Sequence, residues 1–180
     1  MRVASGLEAL MAGYQKADPE AAAALIEQVS PQLHRFFMVQ AVSRRFADDL
    51  LQETWLRIHE VRHTYRPGEP VLPWLYAIAR HIRVDHYRKS GRTSAREQSL
   101  EEIPEMPAMQ MASTPSVSME ELLAPLPASQ REVVEMLKVS GMSLEEVARA
   151  TSSSIGSVKQ KAFRAYEKLR ELLARRGVAS

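Results

Sequence analysis

Residues 141–166 read Gly-Met-Ser-Leu-Glu-Glu-Val-Ala-Arg-Ala-Thr-Ser-Ser-Ser-Ile-Gly-Ser-Val-Lys-Gln-Lys-Ala-Phe-Arg-Ala-Tyr. Two helix starts are written into this stretch. Ser143 followed three residues later by Glu146 is a capping box, in which each side chain satisfies a backbone N–H that the helix leaves open. Ser154 is a good N-cap for a second helix beginning at Ile155. A short turn, Ser152 to Ser154, separates the two. Leu144, Val147, Ala148, Ile155 and Val158 face one another across it, and Ala148 is small where two helices cross closely. This spacing predicts a helix-turn-helix whose second helix enters the major groove of DNA. That helix is basic: Lys159, Lys161, Arg164, Lys168, Arg170, Arg175 and Arg176 stand against Glu167 and Glu171. The same pattern also fits an ordinary helical hairpin with a solvated basic face.

Working outward, strand signals are nearly absent and helical periodicity prevails. Leu7, Leu10, Met11 and Tyr14 form one apolar stripe. Asp18-Pro19 supplies a cap and first helical residue for a segment carrying Leu25, Val29, Leu33, Phe36 and Phe37, which Pro31 should kink or divide. A third helix is expected from about Ala47 to His63, ending at the loop Tyr65-Arg66-Pro67-Gly68-Glu69-Pro70. A fourth is expected from near Pro73 to about Lys89. Residues 93–118, rich in Ser, Thr, Pro, Met, Gln and Glu, read as an acidic flexible linker. Order resumes near Met119. Pro127 opens a helix with Val133, Val134 and Leu137 inward, closed by Gly141. The expectation is an all-α chain with a module over 1–91, a linker over 92–118 and a second module over 119–180.

The chain has 180 residues, 45% of them hydrophobic, with net charge +2 and a pI near 9.0. It has no cysteine, which excludes disulfides and thiolate metal sites. No apolar run reaches the roughly 20 residues needed to span a bilayer, and the N-terminus lacks a signal-peptide pattern. Cytoplasmic location, without membrane insertion, is the expectation.

Three side-chain constellations carry chemistry. In the fourth helix, Leu75, Ile78, Ala79 and Ile82 form the apolar face. Tyr76, Arg80, Arg83 and Tyr87 fall on another, expected to be exposed, flanked by His81, Asp85 and Arg88 and extended by Lys89. Alternating rings and cations suit single-stranded nucleic acid, where phosphates follow the cations and bases stack on the rings. Stems covering the core edge would give the same pattern. In the third helix Asp49, Gln52 and Glu53 share a face beside Asp48. They read either as a first turn favoured by the helix dipole or as a docking surface for a basic partner. Finally, His59-Glu60-Val61-Arg62-His63 matches H-E-x-x-H, in which two imidazoles bind zinc and the Glu activates water. The charged Arg62 within it and the fraying expected at His63 argue against a metal. No Cys nucleophile, Gly-rich phosphate loop or G-x-S-x-G elbow is present. No catalytic residue, metal or cofactor is expected, and the chain does not read as an enzyme.

Taken in order, these parts resemble the extracytoplasmic-function sigma factors of bacterial RNA polymerase. Residues 48–58, Asp-Asp-Leu-Leu-Gln-Glu-Thr-Trp-Leu-Arg-Ile, are similar to the signature that docks on the polymerase clamp. Residues 73–89 are similar to the helix that melts the promoter and reads the minus-ten element. Residues 126–134 with the helix-turn-helix are similar to region four. The resemblance implies core RNA polymerase and promoter DNA as partners, and an anti-sigma factor as a family expectation. It implies polymerase docking by Asp48, Asp49, Gln52 and Glu53. The Arg62 to Val71 loop, with Arg62, Tyr65 and Arg66, would capture a flipped base. Tyr76, Arg80, His81, Arg83, Tyr87, Arg88 and Lys89 would hold melted DNA. Lys159, Gln160 and Arg164 would meet base edges of the minus-thirty-five element, and Ser157, Lys161 and Lys168 its phosphates. The family usually has Gly and then an apolar residue where this turn has Ser152 and Ser153. The alternatives are a helix-turn-helix regulator without polymerase docking and, more distantly, a zinc hydrolase.

Overall fold

In a computed structural model, residues 6–40, 43–97 and 118–177 are described. Among them every regular element is helical: α1 Gly6–Gln15, α2 Pro19–Met38, α3 Arg44–Val61, α4 Val71–Glu97, α5 Met119–Leu123, α6 Ala128–Val134, α7 Leu144–Ala150 and α8 Ile155–Arg175. The linker expectation falls mostly on 98–117, outside the described residues.

Local chemistry fixes most boundaries. The Asp18 carboxylate accepts from the N–H groups of Glu20 (3.0 Å) and Ala21 (3.3 Å), and Pro19 takes the first helical position of α2. Pro31 does not divide that helix; it lies on the exposed side of a continuous α2. The α3 helix starts a turn earlier than expected, because Ser43 caps it by accepting from the Phe46 N–H at 3.3 Å. Asp48 and Asp49 are therefore in its second turn, and the dipole explanation for them is withdrawn. At its other end α3 tightens into a 3-10 turn over Arg62–Thr64. The α4 helix runs past Gly91 to Glu97, beyond the expected stop at Lys89; one interior Gly costs only about 1 kcal/mol and does not end a helix by itself. Ser118 with Glu121, and Ser143 with Glu146, close capping boxes at α5 and α7. Between α6 and Gly141 the chain widens into a π-helical turn, Glu135–Val139, in which the Ser140 N–H donates to the Glu135 carbonyl at 3.0 Å. Gly141 then reverses the chain at φ +68°, a conformation that glycine adopts without a steric penalty.

The α1–α4 bundle buries Met11, Leu25, Leu33, Phe36, Phe37, Leu50, Ile58 and Leu75 completely. Its core does not stop at α4. The same apolar cluster continues into Val133, Met136, Met142, Val147, Ala150, Val158 and Ala162, from α6 through α8. A smaller cluster joins Val39, just after α2, to Leu123, Leu126, Val134 and Ala165. The two groups of helices are thus packed on each other, with α4 against α7 and α2 against the π-turn.

Candidate nucleic-acid and polymerase interfaces

The helix-turn-helix is built as its caps require. Ser154 Oγ accepts from the Ser157 N–H at 3.1 Å and opens α8. The preceding turn needs one left-handed residue, which is Ser152 at φ +51°. Thr151 Oγ1 lies 2.7 Å from Ser153 Oγ and donates to the Val147 carbonyl at 2.8 Å, so the turn is braced from inside. Val158, Ala162 and Ala165 point inward; Gln160, Arg164 and Lys168 are exposed. At about 100° per residue, Gln160 and Arg164 are central on the outward face, with Ser157, Lys161 and Lys168 on one flank. Lys159 falls on the opposite flank. There it borders, with Phe163, a groove lined by Leu137, Met142 and Tyr166. The structure therefore separates Lys159 from the face that carries Arg164.

The α3 residues expected to dock are also displayed. Asp48, Asp49 and Gln52 are exposed, and Leu56 beside them is 64% exposed. Two of the acids have histidine partners: Asp48 Oδ1 lies 2.9 Å from His34 Nε2, and Glu53 pairs with His86 of α4. Glu53 is thus partly committed to holding α3 against α4.

The loop between α3 and α4 is fastened by α1. Gln15 Nε2 donates to the carbonyls of Arg62 and Tyr65, both at 2.7 Å, and Glu8 Oε1 accepts from the Val71 N–H at 3.1 Å. Arg62 donates to the His59 carbonyl and lies over the Tyr14 ring. Tyr65 is a core residue at 3% exposure, its hydroxyl donating to the Glu69 carbonyl; it frames the loop and cannot stack a base in this arrangement. Arg66 is exposed. It lines, with Thr64, Pro73, Trp74 and Arg149, an open cavity of about 380 Å³.

The expected exposed stripe of α4 is not exposed. Only its last member, Tyr87, is free, at 79% exposure; His81, Arg88 and Lys89 also lie at the surface. Tyr76 is fully buried, with its hydroxyl on Ser140 and, at 3.4 Å, on Glu135 Oε1. Arg80 Nε reaches both oxygens of Glu132, at 3.2 and 3.1 Å, and Arg83 donates to Oε2 at 3.2 Å. Glu132 is 1% exposed. Two cations thus neutralise one buried carboxylate, the arrangement a charge needs to survive removal from water. Burial pulls the Arg83 pKa below its ordinary value, against the pull of Glu132. Glu135 has no such cation in contact. Burial raises its carboxyl to about 7, although bonds from Ser140 and Tyr76 and the more distant Arg35 act the other way. The Tyr76 hydroxyl is pushed up by burial and by Glu135. Sequence reasoning missed Glu132, Glu135 and Arg149. The only available signal was two glutamates three apart on the face that also carries Met136.

The H-E-x-x-H segment spans a helix end. His59 Nδ1 lies 2.8 Å from the Tyr14 hydroxyl, Glu60 pairs with Arg57 at 3.1 Å, and His63 is in the 3-10 turn. Among the described residues no group of three His, Asp or Glu is placed to hold a metal ion. No helix among them is long and apolar enough to cross a membrane.

Comparison with known proteins gives two family models that match: Sigma-70 region 2 over residues 25–93 and Sigma-70, region 4 over residues 116–169. The chain is 34% identical, over an alignment of 183 positions, to the ECF RNA polymerase sigma factor SigD of Mycobacterium tuberculosis, covering 95% of this chain and 85% of that one. It is 33% identical over 151 residues to the RNA polymerase sigma factor CarQ of Myxococcus xanthus, covering 83% and 87%. Among solved structures it is similar to the sigma factor RpoE in complex with the anti-sigma factor NepR from Bartonella quintana. The TM-score is 0.70 at 28% identity, covering 83% of this chain and 94% of that one.

Proposed function

We propose a division of labour among the surfaces of this chain, which belongs to the extracytoplasmic-function sigma factors of bacterial RNA polymerase and directs promoter-specific initiation of transcription. It acts by binding, in the cytoplasm, and performs no reaction of its own. Residues 1–91 form the polymerase-docking and promoter-melting module, 92–118 a tether, and 119–180 the minus-thirty-five reader. Asp48, Asp49 and Gln52 dock on the polymerase, with Leu56 as an apolar anchor among them. Glu53 positions α4 through His86 as well. Gln160 and Arg164 meet base edges, where a guanidinium can bond guanine bidentately. Ser157, Lys161 and Lys168 follow phosphates, and Lys159 is moved to the groove flank. Arg80, Arg83, Arg88 and Lys89 hold melted DNA, with Tyr87 as the stacking ring. Arg62, His81 and Arg66 border the flipped base, while Tyr65 and Tyr76 support this surface from within. An anti-sigma factor is a further partner, by analogy with the RpoE–NepR complex.

The observation that carries this reading is the pairing of two opposite surfaces on one chain: exposed acids on α3 and exposed Gln160, Arg164 and Lys168 on α8. Asp49→Lys tests it, because Asp49 is exposed and its reversal leaves the core intact. Affinity for core RNA polymerase should fall at least tenfold, with thermal stability unchanged. Unchanged affinity would reduce the α3 face to a solvated surface.

A further inference from the structure

We infer that His34 and His86 are positioning residues of the α3 docking face, each holding one of its carboxylates from behind and making polymerase association dependent on pH. The inference rests on the reading of Asp48, Asp49 and Glu53 as docking acids, and it adds how their charge is set. The two helices that pack on α3, α2 and α4, each send one imidazole to it. His34 of α2 brings Nε2 to 2.9 Å from Asp48 Oδ1, and His86 of α4 pairs through Nε2 with Glu53 Oε2. The acids stand in front, with side chains 62% and 44% exposed, and the histidines behind, at 27% and 28%. A basic partner therefore meets the carboxylates while the imidazoles stay in place.

Packing holds both rings. One turn of α2 before His34, Ser30 accepts from Trp55 Nε1 at 2.9 Å, which fixes α2 on α3. His86 lies edge-on to the Phe46 ring, with centroids 5.4 Å apart. An ionised carboxylate only accepts, so each Nε2 carries the hydrogen and a second proton arrives at Nδ1. Protonation thus keeps both bonds and adds a positive charge behind each acid. Histidine is the side chain that changes charge between about pH 5 and 8. With both imidazoles charged, the face of Asp48, Asp49 and Glu53 loses two of its three negative charges. The open cavity beside His34 also carries Glu27, Arg35, Arg44 and Glu120, whose formal charges cancel. From α3, Glu53 faces His86, with Asp49 one turn earlier. On α4 itself, Arg83 belongs to Glu132, Asp85 pairs with His81, and Lys89 follows. Acid should therefore weaken the attraction of this face for a basic surface, because charge complementarity governs encounter and discrimination.

The test uses the full chain with a fluorophore at its N-terminus. Affinity for core RNA polymerase is read by anisotropy from pH 6 to pH 8 at constant ionic strength. The wild type should bind about fivefold more weakly at pH 6 than at pH 8. His34→Gln with His86→Gln keeps a neutral donor at both places. That variant should match the wild type at pH 8 and vary by less than about twofold over the range. His34→Lys with His86→Lys should bind at pH 8 as weakly as the wild type does at pH 6. Should a double variant melt early by circular dichroism, His34→Gln alone decides, and it should remove about half of the response on a logarithmic scale. A wild type without pH dependence, or Gln variants that keep the wild-type profile, would refute the inference. Asp49→Lys in the same assay scores the docking reading separately. A tenfold loss there beside an unaltered Gln profile sinks the inference alone; unchanged affinity removes the docking face and the inference with it.

Discussion

Replacing Glu135 by Gln should flatten a pH dependence that the wild-type chain carries. Glu135 is fully buried, bonded by Ser140 (3.0 Å) and Tyr76, with its second oxygen unpartnered. Its pKa moves from 4.5 to about 7, chiefly by burial. Below pH 4.5 the carboxyl is protonated in both folded and unfolded chains, and its full contribution to stability is present. As pH rises above 4.5 the unfolded chain ionises while the folded one holds its proton, so stability falls. Above about pH 7 both forms are ionised and the loss is complete. Each pH unit of that window is worth about 1.4 kcal/mol, which gives about 3 kcal/mol in all. Gln has the shape of the protonated acid and does not titrate. Urea unfolding followed by circular dichroism at intervals from pH 5 to pH 8 measures the difference. Near pH 5 the two proteins should agree within about 1 kcal/mol. By pH 8 the variant should be the more stable by about 2–3 kcal/mol. Parallel stability curves would show that Glu135 is ionised in the folded chain, and would refute the burial argument.

Two further outcomes follow from backbone geometry. A Cβ on Gly13 would lie 2.6 Å from Ala21 Cβ, where α1 meets α2. Overpacking costs about 1–3 kcal/mol and the helical preference of Ala over Gly returns about 1 kcal/mol, so Gly13→Ala should lower stability by up to about 2 kcal/mol, read as a lower urea midpoint at unchanged slope. Ser152 holds φ +51° with an exposed side chain. A left-handed L-residue costs about 1–2 kcal/mol, partly offset by the larger chain entropy of glycine when unfolded. Ser152→Gly should therefore raise stability by about 0.5–1 kcal/mol without altering DNA preference, and a lowered midpoint would overturn the assignment of strain to this turn.

What was legible in the sequence was what local chemistry decides. Ser143 with Glu146, Ser154, Asp18 with Pro19, and Gly141 each act within a few residues, and the structure places all four ends where the side chains require them. Where the cap was less conspicuous the boundary was missed: Ser43 precedes two arginines, and α3 starts at Arg44, about a turn before the expected Ala47. The π-turn at Glu135–Val139 carries no marker that separates it from ordinary helix. The site residues divide along the same line. Arg164 and Lys168 on α8 and Asp49 and Gln52 on α3 lie opposite an apolar stripe and are exposed. Tyr76, Arg80 and Arg83 lie beside such a stripe, and periodicity names the face of a helix without naming its neighbour.

The neighbour explains the difference. In α4 the buried positions Val71, Leu75, Tyr76, Ala79 and Ile82 span a wider arc than Leu75, Ile78, Ala79 and Ile82 alone suggest. A helix buried over a wide arc is covered from two directions, here by α2 and α3 on one side and by α7 on the other. Its polar residues on the second side need partners, and the chain supplies them about fifty residues downstream, as Glu132. That pairing is invisible to any local rule, because each residue alone is an ordinary charged position on an ordinary helix. The closed packing leaves Asp49, Gln52, Gln160 and Arg164 at the surface while it covers Tyr76, Arg80 and Arg83. The roles proposed for Asp49, Gln52, Gln160 and Arg164 can therefore be tested on the chain as it is packed. Arg80 and Arg83 are thus withdrawn from the surface by a carboxylate that their own helix does not carry.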